Sequence, residues 1–199
     1  MKLERKFYER GDVVQIAKEL IGKVLVTNFS RNLTSGIITE TEAYAGVHDR
    51  ASHAYGGRRT ERTEIMYYRG GTAYIYLCYG VHSLFNVVTS KKNVPDAILI
   101  RALRPLDGTD IMKARLDVRS VGPHMLTGPG KLSKALGIHF SFTGTDLLGK
   151  TIWIEDRGIK VKNSEIEVGP RIGVDYAGED AKLPYRFVWR DNSTGLFEK

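Results

Sequence analysis

Two glutamates, two tyrosines and two histidines lie close together in residues 37–57. The first part of this stretch alternates β-branched and polar residues, which is typical of a strand and places Glu40, Glu42 and Tyr44 on one face. A polar loop follows and carries His53. A carboxylate, a flat ring and a nearby imidazole could hold a planar ligand and perform acid–base chemistry beside it. An edge strand with a solvated face would contain the same residues.

Two polar side chains interrupt apolar strands elsewhere in the sequence. Asn86 lies within the apolar run 84–88, and Arg101 stands among six apolar residues in 97–103. A buried amide needs hydrogen-bond partners, and a buried guanidinium is costly unless a carboxylate meets it. Arg101 therefore predicts either an internal salt bridge or a pair with an acid such as Glu42 that holds a water or an anion.

A tyrosine-rich hairpin is predicted next to this stretch. Residues 72–79 form its first strand, with Tyr74 and Tyr76 on one face, and residues 82–89 form the second after a two-residue connection. Aromatic rings of this kind could stack on a base that has been flipped out of a duplex. Filling a protein core is the more ordinary role of any one tyrosine.

Basic residues accompany glycine-rich turns at three places. Arg58 and Arg62 follow a pair of glycines, Lys131 follows a Gly-Pro-Gly turn, and Arg171 lies in a turn bounded by glycines. Open backbone amides and basic side chains can contact DNA phosphates, so these four residues are candidate DNA contacts. A solvated loop is the alternative, and the spacing before Lys131 is not that of a P-loop.

Length and composition predict one folded unit. The chain has 199 residues, is 42% hydrophobic and 27% charged, and carries a formal net charge of +7. We expect a single α+β domain over residues 1–199, with a curved, mostly antiparallel β-sheet flanked by helices. The expected local elements include helices over 13–21, 63–68, 110–117 and 132–136 and paired strands over 151–155 and 165–168.

Several functional classes lack their sequence features here. The single cysteine, Cys78, excludes an internal disulfide and is expected to be a small core thiol. The histidines show no metal-ligand spacing, and no dinucleotide or serine-hydrolase motif occurs, so we expect no metal and no cofactor. Without a signal stretch or a membrane-length apolar run, we expect a cytoplasmic protein with no membrane partner, nucleoid-associated if bacterial.

Motifs spread in order along nearly the whole chain share one pattern. They are Glu-Thr-Glu-Ala-Tyr at 40–44, Ser-His at 52–53, the hairpin sequence at 71–80 with Asn86, Leu-Ile-Arg-Ala-Leu-Arg-Pro at 99–105, Gly-Pro-Gly-Lys-Leu at 128–132, Pro-Arg-Ile-Gly at 170–173 and Pro-Tyr-Arg-Phe at 184–187. Together they resemble the alkyladenine (3-methyladenine, methylpurine) DNA glycosylase family. Their common order makes the resemblance far more specific than any single motif.

The resemblance implies a fold and an activity. Members of that family have one mixed domain around a curved antiparallel sheet and excise damaged purines from double-stranded DNA without a metal or cofactor. By resemblance, Glu42 is the glutamate that activates water, and Arg101 and the main chain of Ile172 are the groups that position that water. We expect a monomer that leaves an abasic site, as a monofunctional enzyme of base excision repair.

The resemblance also assigns a base pocket and a wedge. Tyr44 and Tyr76 match stacking residues, and His53 matches a hydrogen-bonding residue of the pocket lining. Asn86 matches the residue that excludes the exocyclic amino group of guanine. Tyr79 matches the side chain that fills the gap left by the flipped nucleotide.

One further position matches the family, and two others depart from its pattern. Met66 matches a residue that contacts the DNA helix beside the wedge. Val47-His48 and Glu61 depart from the family pattern, where proline with an acid and proline are expected, and these departures affect the shape of the pocket rim and the substrate range. Two other functions fit the same residues: a non-catalytic nucleic-acid-binding module, and a small-molecule hydrolase with Glu42 as its base.

Overall fold

Nine strands of the described residues form one continuous sheet. The structure of the protein, a computed structural model, describes residues 1–120, 122 and 124–190. The strands are β1 (Val24–Phe29), β2 (Asn32–Tyr44), β3 (Thr72–Cys78), β4 (His82–Thr89), β5 (Asp96–Pro105), β6 (Leu126–Thr127), β7 (Ile152–Glu155), β8 (Ile166–Gly169) and β9 (Arg186–Trp189). The domain expected over residues 1–199 includes positions outside the described residues, and its bounds stay a prediction.

The long strand β2 organises the sheet because it pairs with three others. The strand order is β3-β4-β5-β2-β1-β7, while β9 pairs with β2, β8 with β9 and β6 with β5. Every one of these described pairs is antiparallel. The predicted α+β fold with a curved antiparallel sheet is confirmed.

Helices cover one face of β2 and leave the other for the two glutamates. The helices are α1 (Arg5–Tyr8), α2 (Val13–Leu20), α3 (Thr109–Leu116) and α4 (Pro129–Leu136). The hydroxyl of Thr41 donates to the carbonyl of Ala17 at 2.8 Å, which ties α2 to β2. Side chains alternate along a strand, so Glu40 and Glu42 point away from that helix. No helix in the described ranges has the length and apolar character to span a membrane.

The pairing of β2 with β5 is irregular next to the glutamates. The register shifts twice between Ile38 and Thr41, so that Thr39 and Arg101 stand outside the paired positions. A bulge bends a strand and redirects the side chain that it carries. The carbonyl of Arg101 accepts a hydrogen bond from the N–H of Gly128 at 2.9 Å, so the bulge brings the start of α4 to this place.

The β3–β4 hairpin ends in a three-residue connection, one residue longer than predicted. Tyr79 and Gly80 have φ values of +52° and +70°, and the N–H of Val81 donates to the carbonyl of Cys78 at 3.1 Å, which makes a type I′ turn. This left-handed backbone suits glycine but is strained at a tyrosine. The Tyr79 side chain stands at the tip and is 94% exposed.

Local predictions differ from the structure at three places. The predicted pairing of residues 151–155 with residues 165–168 is wrong, because β7 joins the open edge of β1 and β8 joins β9 instead. Helix α4 begins at Pro129 rather than Leu132, since proline fits the first helical position. The helix predicted over residues 63–68 is a short 3₁₀ segment, Glu64–Tyr67.

Candidate active site

A cavity of about 250 Å³ lies between the β3–β4 hairpin, the ends of β2 and β5, and residues 172–176. Pockets for drug-sized ligands measure about 300–1,000 Å³, so this smaller cavity suits a small planar ligand. Its wall is largely aromatic and apolar with a few polar groups. The lining includes Tyr44, His53, Met66, Tyr74, Tyr76, Cys78, Asn86, Leu99, Arg101, Ile172 and Tyr176.

Glu42 is wholly buried behind this wall, and three lining residues hold its carboxylate. The N–H of Ile172 donates to Oε1 at 2.7 Å, and the hydroxyl of Tyr44 donates to Oε2 at 2.8 Å. The Arg101 guanidinium lies 3.4 Å from each carboxylate oxygen, through Nε and Nη1. The carboxylate is therefore fixed at the edge of the cavity by groups that themselves face it.

Burial sets the basicity of this carboxylate. It raises the pKa of Glu42 above the ordinary value, against the opposing effects of Arg101, the Ile172 N–H and the Tyr44 hydroxyl. The neighbouring charge of Glu40 raises the pKa further. Glu42 is therefore a stronger base than an exposed glutamate.

Arg101 is shared between two carboxylates. Its Nε donates to Oε1 of Glu40 at 2.9 Å, and Nε of Arg186 donates to the same oxygen at 2.7 Å. The side chains of Arg101 and Glu40 are only 14% and 8% exposed, so this network is largely screened from water. The sequence left two interpretations of Arg101 open, an internal salt bridge and a pair with an acid such as Glu42 that holds a water or an anion. The structure shows a salt bridge with Glu40 and contacts with Glu42, and the binding of a water or an anion stays a prediction.

His53 forms one wall of the cavity together with two tyrosines. Its Nδ1 lies 2.9 Å from the hydroxyl of Tyr74, and its ring meets that of Tyr76 edge-on at 4.7 Å. The guanidinium of Arg62 lies over the ring of Tyr76, 4.9 Å from the ring centroid. Burial, together with the charges of Arg62 and Arg58, lowers the pKa of His53 to about 4. The imidazole is therefore neutral at physiological pH.

The neutral state of His53 gives a direct prediction. Proton NMR of the imidazole C–H signals should show His53 titrating near pH 4, and the variant His53→Gln should identify its resonance. Because the unfolded chain takes up this proton first, the contribution of His53 to stability should be lost as the pH falls from about 6.5 toward 4. A midpoint above pH 6 would contradict the buried, neutral assignment.

A second buried ion pair holds the loop that supplies the Ile172 N–H. The Arg171 guanidinium contacts both carboxylate oxygens of Asp49, and both side chains are almost fully buried. Arg171 also donates to the carbonyls of Ala43 at 2.9 Å and Asp180 at 3.0 Å. The pair thereby joins the end of β2 to two loops and fixes the residue that follows Arg171.

Comparison with known proteins shows the family of this chain. Residues 6–193 match the family model described as Methylpurine-DNA glycosylase (MPG). The chain belongs to the methylpurine-DNA glycosylase family. It is thus a DNA glycosylase, an enzyme whose substrate is DNA.

Similar proteins cover nearly the whole chain. A protein of Chlamydia abortus, named "Putative 3-methyladenine DNA glycosylase", is 48% identical over 187 residues, which cover 94% of this chain and 97% of that protein. Proteins of the same name from Bacillus cereus (strain G9842) and Chlamydia pneumoniae are 43% and 41% identical. These two alignments cover 96% and 97% of this chain, and the same shares of those proteins.

The structure of this glycosylase brings the predicted pocket and catalytic residues together. Tyr44, His53, Tyr76, Asn86, Arg101 and Ile172 line one cavity, and Glu42 lies behind it. The amide of Asn86 donates to the carbonyls of Tyr74 and Leu84, both at 3.1 Å, which fixes its orientation in the wall. Four predicted DNA contacts, Arg58, Arg62, Lys131 and Tyr79, are exposed.

Three expectations need correction. Arg171 is buried in its pair with Asp49, so it has no surface to offer a phosphate. Met66 is 2% exposed and lines the cavity, so it belongs to the pocket wall rather than to a DNA-facing surface. Cys78 also lines the cavity and is half-buried rather than part of the core.

Sequence reasoning missed two residues of this site. Tyr176, 71% exposed, lies at the cavity and donates to the carbonyl of Ala51 at 3.1 Å. Asp49 anchors Arg171 from a loop that carries no regular pattern. No local signal predicts either contact, since both depend on a loop more than a hundred residues away. Among the described residues, no three His, Cys, Asp or Glu side chains are grouped so as to hold a metal ion.

Proposed function

We propose that the protein is a monofunctional DNA glycosylase that flips alkylated or deaminated purines out of double-stranded DNA and hydrolyses their glycosidic bonds. The substrates we propose are 3-methyladenine, 7-methylguanine, hypoxanthine and ethenoadenine. The observation that carries this proposal is the buried carboxylate of Glu42, held by Tyr44, Arg101 and Ile172 at the edge of an aromatic cavity. The names of its relatives support the same substrate class.

The proposed reaction uses Glu42 as base and as counter-charge. The bond between the purine and the sugar breaks with its electron pair passing to the base, which leaves positive charge on the sugar. The carboxylate stabilises that charge and takes a proton from a water, whose oxygen forms the new bond to the anomeric carbon. Arg101 and the Ile172 N–H, which already contact Glu42, would hold this water. The product is an abasic site.

The cavity wall accounts for the proposed choice of base. A methylated purine that carries positive charge stacks favourably on the faces of Tyr44 and Tyr76, and it also leaves the sugar easily. A neutral lesion such as hypoxanthine relies more on hydrogen bonds, which His53 can supply. The fixed amide of Asn86 would exclude a ring with an amino group at the position found in guanine.

A monofunctional mechanism follows from what lines the cavity. A glycosylase that also cleaves the DNA strand uses an amine nucleophile, which forms a Schiff base with the sugar. In the part of the chain that the structure describes, the cavity wall contains no lysine. Hydrolysis by water is therefore the proposed route.

The proposed DNA face surrounds the cavity. Arg58, Arg62 and Lys131 are exposed, and the net charge of +7 favours a polyanion. Tyr79 stands at the hairpin tip in a strained left-handed conformation. Strain at an exposed aromatic residue is often a sign of function, and here it presents the ring for insertion into the duplex.

We expect Tyr79→Ala to weaken binding to lesion-containing duplex about 5- to 150-fold, because base–aromatic stacking contributes about 1–3 kcal/mol. Fluorescence anisotropy with a duplex carrying an abasic-site analogue measures this. Thermal stability should change little, since the side chain is 94% exposed. The matched control is Val168→Ala, an exposed apolar residue on β8, which should bind normally. Equal loss in both variants would contradict the wedge assignment.

An excision assay on a panel of lesions tests the proposed function. Duplexes carrying each of the four lesions, and undamaged guanine, are incubated with wild-type protein and with Glu42→Gln, and abasic sites are then cleaved by alkali. We expect wild-type protein to release at least one lesion and to spare guanine. Equal product from the two proteins would contradict the catalytic role of Glu42, and no product from either protein on any lesion would favour a non-catalytic DNA-binding module.

A further inference from the structure

Glu40 has no role in the reaction proposed above, although it is nearly as buried as Glu42. Its side chain is 8% exposed, and one of its oxygens, Oε1, accepts hydrogen bonds from both Arg101 and Arg186. A buried carboxylate costs free energy unless its partners compensate for lost hydration. Its place two residues from Glu42, on the same face of β2, makes it the second carboxylate in contact with Arg101.

The distances show which carboxylate Arg101 favours. The Arg101 Nε is 2.9 Å from Glu40 but 3.4 Å from Glu42, and Nη1 is also 3.4 Å from Glu42. Charge-assisted hydrogen bonds of this kind measure about 2.7–2.9 Å, so the Nε contact of Arg101 with Glu40 has the length of a full hydrogen bond, whereas both of its contacts with Glu42 are long. A close bidentate ion pair between Arg101 and Glu42 would occupy the carboxylate oxygens to which a water must bind.

We infer that Glu40 is a positioning residue that holds Arg101 away from a tight ion pair with Glu42 and so keeps the Glu42 carboxylate available as a base. This inference rests on the proposed role of Glu42. Arg186 is part of the same arrangement. It donates to the same oxygen of Glu40 and thereby limits how strongly Glu40 attracts Arg101. The bulge in β5 makes the arrangement possible, since it directs Arg101 between the two acids.

The groups that face Glu42 predict how each change acts on it. Arg101 on β5 and the Ile172 N–H lower its pKa, as does the Tyr44 hydroxyl, whereas Glu40 on β2 raises it. Arg171 and Tyr176, on the loop after β8, also interact with it electrostatically. Removing the Glu40 charge takes away a neighbouring negative charge and also frees Arg101 to approach Glu42. Each of these two changes lowers the pKa of Glu42. Removing Arg186 leaves Arg101 as the only partner of Glu40 among these two arginines, so Arg101 is drawn further from Glu42 and the pKa of Glu42 rises.

Single-turnover excision of 7-methylguanine across the range pH 4.5–9 tests this inference. That base is already cationic and needs no protonation, so the rise in rate with pH reports on Glu42. We expect Glu40→Gln to move the midpoint of this rise downward by about one pH unit. The plateau rate should fall too, because a weaker base removes the proton less readily. Arg186→Gln should move the midpoint upward.

The matched control is Glu167→Gln on β8. Glu167 flanks Val188 of β9 on the side opposite Glu40 and pairs with Arg190 at an exposed position, so the same chemical change should leave the midpoint in place. A purely structural role for Glu40 would reduce the active fraction without moving the midpoint. If Glu40→Gln fails to fold, Arg186→Gln still decides by the direction of its shift.

The outcomes separate the two proposals. If Glu42→Gln excises as fast as wild-type protein, the proposed function fails. If Glu42→Gln is inactive while Glu40→Gln and Arg186→Gln keep the wild-type midpoint or shift it in the same direction, only the role of Glu40 is overturned. Opposite shifts in the two variants, with none in Glu167→Gln, support it.

Discussion

Replacing Glu42 by glutamine should lower the single-turnover rate of lesion excision by about 10²- to 10⁴-fold, the range that a positioned general base contributes. The substitution keeps the shape of the side chain and the acceptor oxygen that meets the Ile172 N–H. It removes the charge that the proposed mechanism needs. Binding to lesion-containing duplex should remain, because Tyr44, Tyr76 and the exposed basic residues are unchanged.

The same variant should be at least as stable as the wild-type protein at pH 8. Burial raises the pKa of Glu42, so its protonated carboxyl group contributes most to stability below its unfolded pKa, and that contribution is lost as the pH rises through the folded pKa. Glutamine cannot ionise and avoids this loss. Melting temperatures of the two proteins should therefore differ more at pH 8 than near pH 4. A rate close to that of wild-type protein, or a collapse in stability at pH 8, would contradict the assignment.

Replacing Asp49 by asparagine should lower the free energy of unfolding by about 3–5 kcal/mol, because it leaves the Arg171 charge buried without its counter-charge. Asp49 and Arg171 are 1% and 0% exposed at their side chains, so water cannot compensate. Urea unfolding followed by circular dichroism measures the change. The excision rate should fall as well, since the pair fixes the loop that carries the Ile172 N–H.

The matched control for Asp49→Asn is Glu179→Gln. Glu179 pairs with Lys182 at 2.8 Å, but both side chains are more than 70% exposed. An exposed pair contributes about 0–1 kcal/mol, so this variant should unfold at nearly the wild-type urea concentration. If Asp49→Asn is destabilised by no more than Glu179→Gln, the buried pair does not hold the loop as described.

The sequence predicted those parts of the site whose residues lie in strong local patterns. Glu42 and Tyr44 alternate along a strand, and the apolar run around Arg101 indicated a buried cation that needs an acid. The family motifs joined these pieces, and the structure places them around one cavity. The strands themselves were mostly predictable because period-two alternation depends on the chain alone.

Contacts between distant loops were not predictable. Arg171 stands in a glycine-bounded turn that is typical of a phosphate contact, yet Asp49, far away in the sequence, buries it. Met66 and Cys78 could have faced DNA or the core, and the packing of the 3₁₀ segment Glu64–Tyr67 and the β3–β4 hairpin around the cavity placed both in its wall. Strands β7 and β8 each had several possible neighbours, and the edges left open by β1 and β9 decided their pairing.

The sequence by itself therefore determined the chemical groups, the strands that carry them and the positive charge of the molecule, because composition and alternation are local properties. The tertiary structure alone decided how Arg101 is divided between two acids, which depends on a bulge where two strands fall out of register. It also decided that Arg171 is internal. Both outcomes depend on contacts between residues that are far apart in the chain, which only the packed fold specifies.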